Sequence, residues 1–149
     1  SLVRHILNKK KINIKKDSFL KKELIKPTKI YVSEVLNLSD NKLLNGCANI
    51  TGGGIVDNLK RIIPNNLCAE IDLYKIKILE IFRWLKNQNI SDGEMLKTFN
   101  CGVGFCLVIN SKNLKKVINF FPKNLKPYVI GKVTRASKKI KLNGQIKWY

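Results

Sequence analysis

A chain of 149 residues fits one domain and buries roughly 68–70% of the surface its unfolded form exposes, so it holds a core without staples. At 44% hydrophobic residues it is too apolar for a disordered chain, and no apolar run approaches the ~18 residues of a membrane-spanning helix. The net charge of +19 raises nucleic acid or an anionic membrane as partners. However, Arg4, Arg61, Arg83 and Arg135 are the only arginines. Arginine is the commoner choice for bidentate base and phosphate recognition, so a solvated lysine surface is the better reading, with no nucleic acid and no membrane as partner. Lys, Asn and Ile are inflated together, as an AT-rich coding sequence produces.

The start, Ser1 to Leu7, has no signal-peptide layout and no initiating Met, so a processed or truncated chain in the cytoplasm is expected. Cys47, Cys68, Cys101 and Cys106 form no CxxC pair and sit among apolar or small residues. They read as reduced, buried thiols rather than a zinc or disulfide framework.

Leu2, Val3, Ile6 and Leu7 recur at helical spacing and predict a helix to about residue 9. Residues 9–26 are Lys-rich with weak periodicity. Residues 27–32 read as a strand with Pro27 at its first position. A helix on Val35, Leu36 and Leu38 follows, with Leu43 and Leu44 near its end and Gly46 as its stop. Cys47 to Ile50 is a short strand running into Thr51-Gly52-Gly53-Gly54, then a helix from Ile55 to Ile63 closed by Pro64. A strand over 67–72 and an amphipathic helix over 78–88 come next, the helix holding Trp84 as a core residue. Ser91-x-x-Glu94 is a capping box opening a short helix through Met95 and Leu96. Val103 to Ile109 is a continuous apolar strand of the kind buried on both faces, followed by helix 112–121 and strand 127–134. Ile140, Leu142, Asn143-Gly144, Ile146 and Trp148 predict a hairpin with a type I′ turn. Strands interleaved with helices predict a sheet covered by helices in one domain.

The sharpest chemical feature is the strand–TGGG–helix junction. Three glycines remove every Cβ from the turn, and the free N–H groups and dipole of the next helix favour an anion such as phosphate. Neither a Walker A lysine nor a GxGxxG pattern is present. Ligand contact and a purely structural tight turn both fit. The second feature is Thr98-Phe99-Asn100-Cys101-Gly102-Val103-Gly104, polar residues just before an apolar strand; a ligand loop and a glycine-mediated close approach both fit here too. Cys101 has no basic partner in sequence and reads as a buried thiol. His5 assembles no triad or metal cluster, and Arg4 beside it is either a phosphate clamp or a surface cation. Asp57, Glu70, Asp72 and Glu80 show no paired acid/base spacing, and no metal site is read.

Several segments stand in a distinctive order: Ser1-Leu2-Val3-Arg4, residues 27–32, Ile50-Thr51-Gly52-Gly53-Gly54-Ile55, Ile81-Phe82-Arg83-Trp84-Leu85, Glu94-Met95-x-x-Thr98-Phe99-Asn100-Cys101-Gly102-Val103-Gly104 and Val129-Ile130-Gly131-Lys132-Val133. Together they resemble the C-terminal domain of aminoimidazole ribonucleotide synthetase, also called phosphoribosylformylglycinamidine cyclo-ligase, over nearly the whole chain. The resemblance implies an α/β (α+β) domain of three α/β/α layers with a mixed sheet and partial ferredoxin-like topology. It implies a purine-biosynthesis ligase that uses ATP to close formylglycinamidine ribonucleotide to aminoimidazole ribonucleotide, phosphorylating an amide oxygen before an internal nitrogen closes the ring. ATP and Mg2+ would be bound mainly by an N-terminal domain, which also forms the homodimer and is absent from residues 1–149.

The residues implied for substrate or phosphate are Arg4, Thr51, Gly52, Gly53, Gly54, Asn58, Thr98 and Asn100. Asn49 stands where the family usually has His, and it can hydrogen-bond but cannot act as an acid or base near pH 7. The fragment alone is expected to be inactive. Rival readings are the equivalent domain of formylglycinamidine synthetase or selenophosphate synthetase, and a basic nucleic-acid-binding module.

Overall fold

The computed structural model describes all 149 residues. Seven α-helices and five strands follow in the order α1 (Leu2–Lys9), α2 (Ser18–Leu24), α3 (Val32–Asp40), β1 (Gly46–Asn49), α4 (Gly54–Ile62), β2 (Leu67–Asp72), α5 (Glu80–Lys86), α6 (Asp92–Thr98), β3 (Phe105–Val108), α7 (Leu114–Asn119), β4 (Gly131–Arg135) and β5 (Ile140–Asn143). The strands form two small sheets. β1 pairs with β3 antiparallel, Asn49 opposite Phe105. β2 is the centre of the other sheet, antiparallel to β4 and parallel to β5, with Ala69 between Val133 and Ile140. The result is a mixed α/β structure, and no helix is long and apolar enough to cross a membrane.

The helix over 54–62 forms because Ile55, Leu59 and Ile63 recur every four residues and put one apolar stripe on the core. These join Ala48 and Ile50 of the β1 segment, Ala69 and Ile71 of β2, and Met95 of α6 in the principal cluster. Burying each such aliphatic side chain contributes roughly 1.5–3 kcal/mol. A smaller cluster of Leu7, Leu20 and Ile81 fastens α1 and α2 to α5, and a third of Leu38, Leu43 and Val117 fastens α3 to α7.

Four expectations need correction. Residues 27–31 form no ladder: Ile30 points to solvent and Val32 already begins α3. That helix stops at the Asn41–Lys42 turn, where Lys42 takes φ +54, so Gly46 is not its stop but the first residue of β1. The tail is not a hairpin. A type I′ turn needs positive φ at both central residues, and only Gly144 has it, so β5 runs beside β2 and the tail leaves the sheet. Lastly, β3 has a neighbour on one edge only and Cys106 is its single buried residue, because a cavity of about 670 Å³ lies against it.

The tail ends as a strap on α6. Trp148 is buried, donates Nε1–H to Asp92 Oδ1 at 3.1 Å, and packs beside Lys86 Nζ, which itself lies 2.6 Å from Asp92 Oδ1. The hydrogen bond from Lys86, joined by that from Trp148, holds the Asp92 carboxyl below its ordinary value. Stability from this cluster is therefore complete above the ordinary carboxylate range and is lost as pH falls through the lowered native value. Trp148→Ala is expected to cost about 3 kcal/mol, read from urea midpoints. Asp92→Asn is expected to flatten the acid limb of the midpoint–pH curve.

Candidate functional site

The glycine loop and the Asn100 loop meet at one edge of the β1–β3 ladder. β1 ends at Asn49, Ile50 N–H donates to the Gly104 carbonyl at 2.9 Å, and the chain then enters Thr51–Gly54. On the other side, α6 ends at Thr98 and Phe99–Gly104 lead into β3. The two segments touch through Gly54, whose φ is +61. A Cβ there would run into the carbonyl oxygen of Leu96 and come within 3.2 Å of that of Phe99.

The three glycines divide their roles. Gly54 permits the contact with α6. Gly53, at φ +92, leaves room for Asp57, whose Oδ2 would lie 2.9 Å from an added Cβ. Gly52 is exposed, and nothing of the chain lies within 4 Å of where its Cβ would be. No protein acceptor is paired with the N–H groups of Gly52, Gly53, Ile55 or Val56, while Gly54 N–H is used locally by the Thr51 carbonyl. Open space and unpaired amides at a helix start are what an oxyanion requires.

Asn58 is the one buried polar side chain, and it faces inward. Its Nδ2 donates to the carbonyls of Gly54 (2.7 Å), Gly52 (3.2 Å) and Thr51 (3.4 Å), holding the loop from beneath. In the neighbouring loop, Asn100 Oδ1 accepts from Gly102 N–H at 3.0 Å, an Asx turn that lets Cys101 take φ +51. Gly102, at φ +102, brings the loop onto the Lys77 carbonyl, 2.5 Å from an added Cβ. Thr98 Oγ1 donates to Glu94 Oε1 at 2.6 Å, so Glu94 closes only half of its capping box: Ser91 Oγ accepts from Glu94 N–H, but the carboxylate turns to Thr98.

Thr51, Gly52, Gly53, Gly54, Asn58, Thr98 and Asn100 are thus brought together, and Asn49 adjoins them, exposed and without a side-chain hydrogen bond. Arg4 is not joined to them. It is exposed on α1, lining a shallow depression with Leu7, Asn8 and Ile12, and has no ion pair. Two residues escaped the sequence reading. Asp57 has no paired carboxylate in sequence to mark it, yet it packs against Gly53. Tyr31, assigned to a strand, rests its ring on Phe105 (5.2 Å between centroids) and its hydroxyl against Gly104, and burial pushes its phenol up. The absence of a Cβ at Gly104 was the available clue. The Cys101 and Cys106 thiols are buried and pushed up to about 12 by desolvation, with Asp92 adding to the effect at Cys101, so neither is a nucleophile near neutral pH.

The fold and this edge define a mixed α/β domain whose glycine loop carries backbone amides without a protein acceptor. The chain belongs to the family described as AIR synthase related protein, C-terminal domain, whose model matches residues 1–142. It is similar to the phosphoribosylformylglycinamidine cyclo-ligase of Geotalea daltonii, 38% identical over 122 residues, covering 80% of this chain and 35% of that protein. Similarity to the Ligilactobacillus salivarius cyclo-ligase is 38% over 144 residues, covering 91% and 42%. The trifunctional purine biosynthetic protein adenosine-3 of Gallus gallus is 36% identical over 145 residues, covering 93% of this chain and 14% of that protein. The chain therefore spans well under half the length of these relatives.

Gly54→Ala is expected to lose roughly 1–3 kcal/mol to backbone strain alone, with the Leu96 clash added, whereas Gly52→Ala leaves the urea midpoint unchanged. Asn58→Ala, which removes the side-chain amide shared by the carbonyls of Thr51, Gly52 and Gly54, costs roughly 1–3 kcal/mol. In native protein at pH 8, iodoacetamide labels Cys47 and spares the buried Cys68, Cys101 and Cys106 until denaturant is added, as mass spectrometry would read.

Proposed function

We propose that this chain is the substrate-side domain of a phosphoribosylformylglycinamidine cyclo-ligase, the enzyme that closes formylglycinamidine ribonucleotide to aminoimidazole ribonucleotide. The observation that carries the reading is Gly52. Its neighbours Gly53 and Gly54 are explained by Asp57 and Leu96, but its open side faces only solvent, in a loop whose Gly52 and Gly53 amides have no protein acceptor. A ribonucleotide phosphate suits that cradle. The names of the relatives support the reaction.

Each group has a task suited to its chemistry. The amides of Gly52, Gly53 and Val56 hold phosphate oxygens without any proton to titrate. Asn58 keeps the loop carbonyls turned inward, away from the anion. Asp57, exposed on the first turns of α4, accepts from N–H groups of the amidine. Asn49 orients substrate as donor or acceptor and moves no proton near pH 7. Arg4 closes over the ligand only if α1 shifts, and it is the weakest member of the set.

Magnesium and ATP fit this chain only in part. The glycine cradle accommodates a phosphate, but no group of three His, Cys, Asp or Glu side chains converges to hold a metal ion. When bound, magnesium-ATP supplies the phosphoryl group that makes the amide oxygen a leaving group. In this proposal both are held mainly by an N-terminal ATP-binding domain, which also forms the homodimer, in the cytoplasm. The helix and strand order is read as a three-layer α/β/α domain of partial ferredoxin-like topology, with β1 beside β3 and β4 displaced to β2.

Titration calorimetry with formylglycinamidine ribonucleotide is expected to give saturable binding, weakened about tenfold, or 1.4 kcal/mol, by Gly52→Ala at unchanged stability. Equal affinity of the variant and the parent would overturn the assignment of the cradle. The chain alone is expected to form no aminoimidazole ribonucleotide, and measurable ring closure by it would refute the division of labour.

A further inference from the structure

We infer that the apolar surface of Ile30, Val32 and Leu36 is the docking face for the ATP-binding remainder of the ligase, a partner surface that is apolar at its centre and basic at its rim. The inference rests on the substrate-side reading above and specifies where the other part of the enzyme sits.

Exposure is the first ground. Apart from the terminal Tyr149, the four most exposed large apolar side chains all fall between residues 25 and 36: Ile30 at 78%, Ile25 at 71%, Val32 at 60% and Leu36 at 56%. Val32 and Leu36 are one helical turn apart on α3, so they share a face, while Leu38 on another face is fully buried against Leu43 and Val117. A short helix with apolar residues on two faces has two partners, and the chain supplies only one.

Charge is the second. The chain carries 29 Lys and Arg in 149 residues, yet none between residues 30 and 41, a stretch that is mostly exposed. Lysine is costly to bury without a partner, so a lysine-rich surface that becomes lysine-free where it is also apolar is dressed for burial. The only charges in the stretch are Glu34 and Asp40, and neither has an ion-pair partner, although basic residues outnumber acidic ones by 29 to 10. Two free carboxylates around an apolar centre call for a basic rim on the other side.

Continuity and length are the third. Tyr31 stands between Ile30 and Val32 and reaches Gly104 and Phe105, so this face adjoins the candidate site. The bacterial relatives are more than twice as long as the stretch they share with this chain. A partner that completes the site must cover ground next to it, and contacts between domains, roughly 600–1,500 Å² in area, place a charge-depleted patch of this kind at their centre and polar groups at the rim.

The test is hydroxyl-radical footprinting of the chain free, and again after it replaces the matching stretch of the Ligilactobacillus salivarius relative; should that chimera not fold, the two parts are mixed in trans. Oxidation of Ile30, Val32 and Leu36 is expected to fall roughly fivefold, as exposed apolar side chains take on core-like burial. Leu36→Lys, at an exposed position, should leave the free chain's urea midpoint unchanged and return Ile30 and Val32 to their free-chain oxidation in the chimera. Unchanged oxidation at the three residues, with new protection of Phe99 and other residues of the two loops, would overturn the docking face and leave the ligase reading standing. No new protection at either place would overturn both.

Discussion

Where α4 meets the end of α6 there is no room for a methyl group, and much of the molecule is arranged around that contact. Gly54 reaches φ +61 and sets its Cα against the Leu96 carbonyl. The first turn of one helix is thereby locked to the last turn of another. α6 leads through Phe99 and Asn100 into β3, β3 pairs with β1, and β1 leads back to the glycine loop. This closed circuit leaves the loops little freedom to drift apart. Met95, with no exposed surface, fills the space beneath, its carbonyl accepting from Cys101 Sγ at 3.5 Å. Phe82 packs at a tilt against Phe99, 5.9 Å between ring centroids, and the Trp148–Asp92–Lys86 cluster fixes the other end of α6. A site that must present backbone amides needs such backing, because amides cannot swing to find a ligand as lysines do.

Much of this was legible in the residues. β2 and α4 fall within a residue of expectation because their patterns are strong: a short, mostly apolar run set off by Pro64-Asn65-Asn66, and an apolar stripe closed by Pro64. What failed was long-range. Residues 27–32 have strand-forming side chains, but although Tyr31 packs on Phe105 of β3 the segment makes no ladder with it, and propensity alone does not secure one. Asn143-Gly144 has the composition of a hairpin turn, yet Ile140 and Leu142 gain more by pairing with β2 than with the tail, and only the assembled sheet decides that. At the site, the loops were found from their glycines. That Asn58 serves the loop carbonyls, and that Arg4 stands apart, depends on tertiary placement that spacing does not encode.

The excess of positive charge and the candidate site occupy different parts of the chain. Residues 43–59 and 98–111, which contain both loops, have no Lys or Arg. A phosphate bound there would be held by oriented N–H dipoles in a generally positive field, without a mobile cation in contact. The arrangement favours one orientation of the anion and avoids the entropy of ordering long side chains. The 29 basic residues behind the net charge of +19 therefore all lie outside these two segments.

Glycine by glycine, the fold accounts for most of what the sequence invests in this region. Gly53 answers to Asp57, Gly54 to Leu96, Gly102 to Lys77 and Gly104 to Tyr31, each through an atom that an added Cβ would strike or crowd. Once these internal demands are subtracted, a small residue remains at the loop's open side: Gly52, the free amides beside it and the unengaged Asn49 amide. A purely structural tight turn would need the first group and not the second. Hydrogen-bond donors that the fold positions and then leaves unused around a gap are the chemical complement of an anion, and that is the support they give to the proposed phosphate cradle.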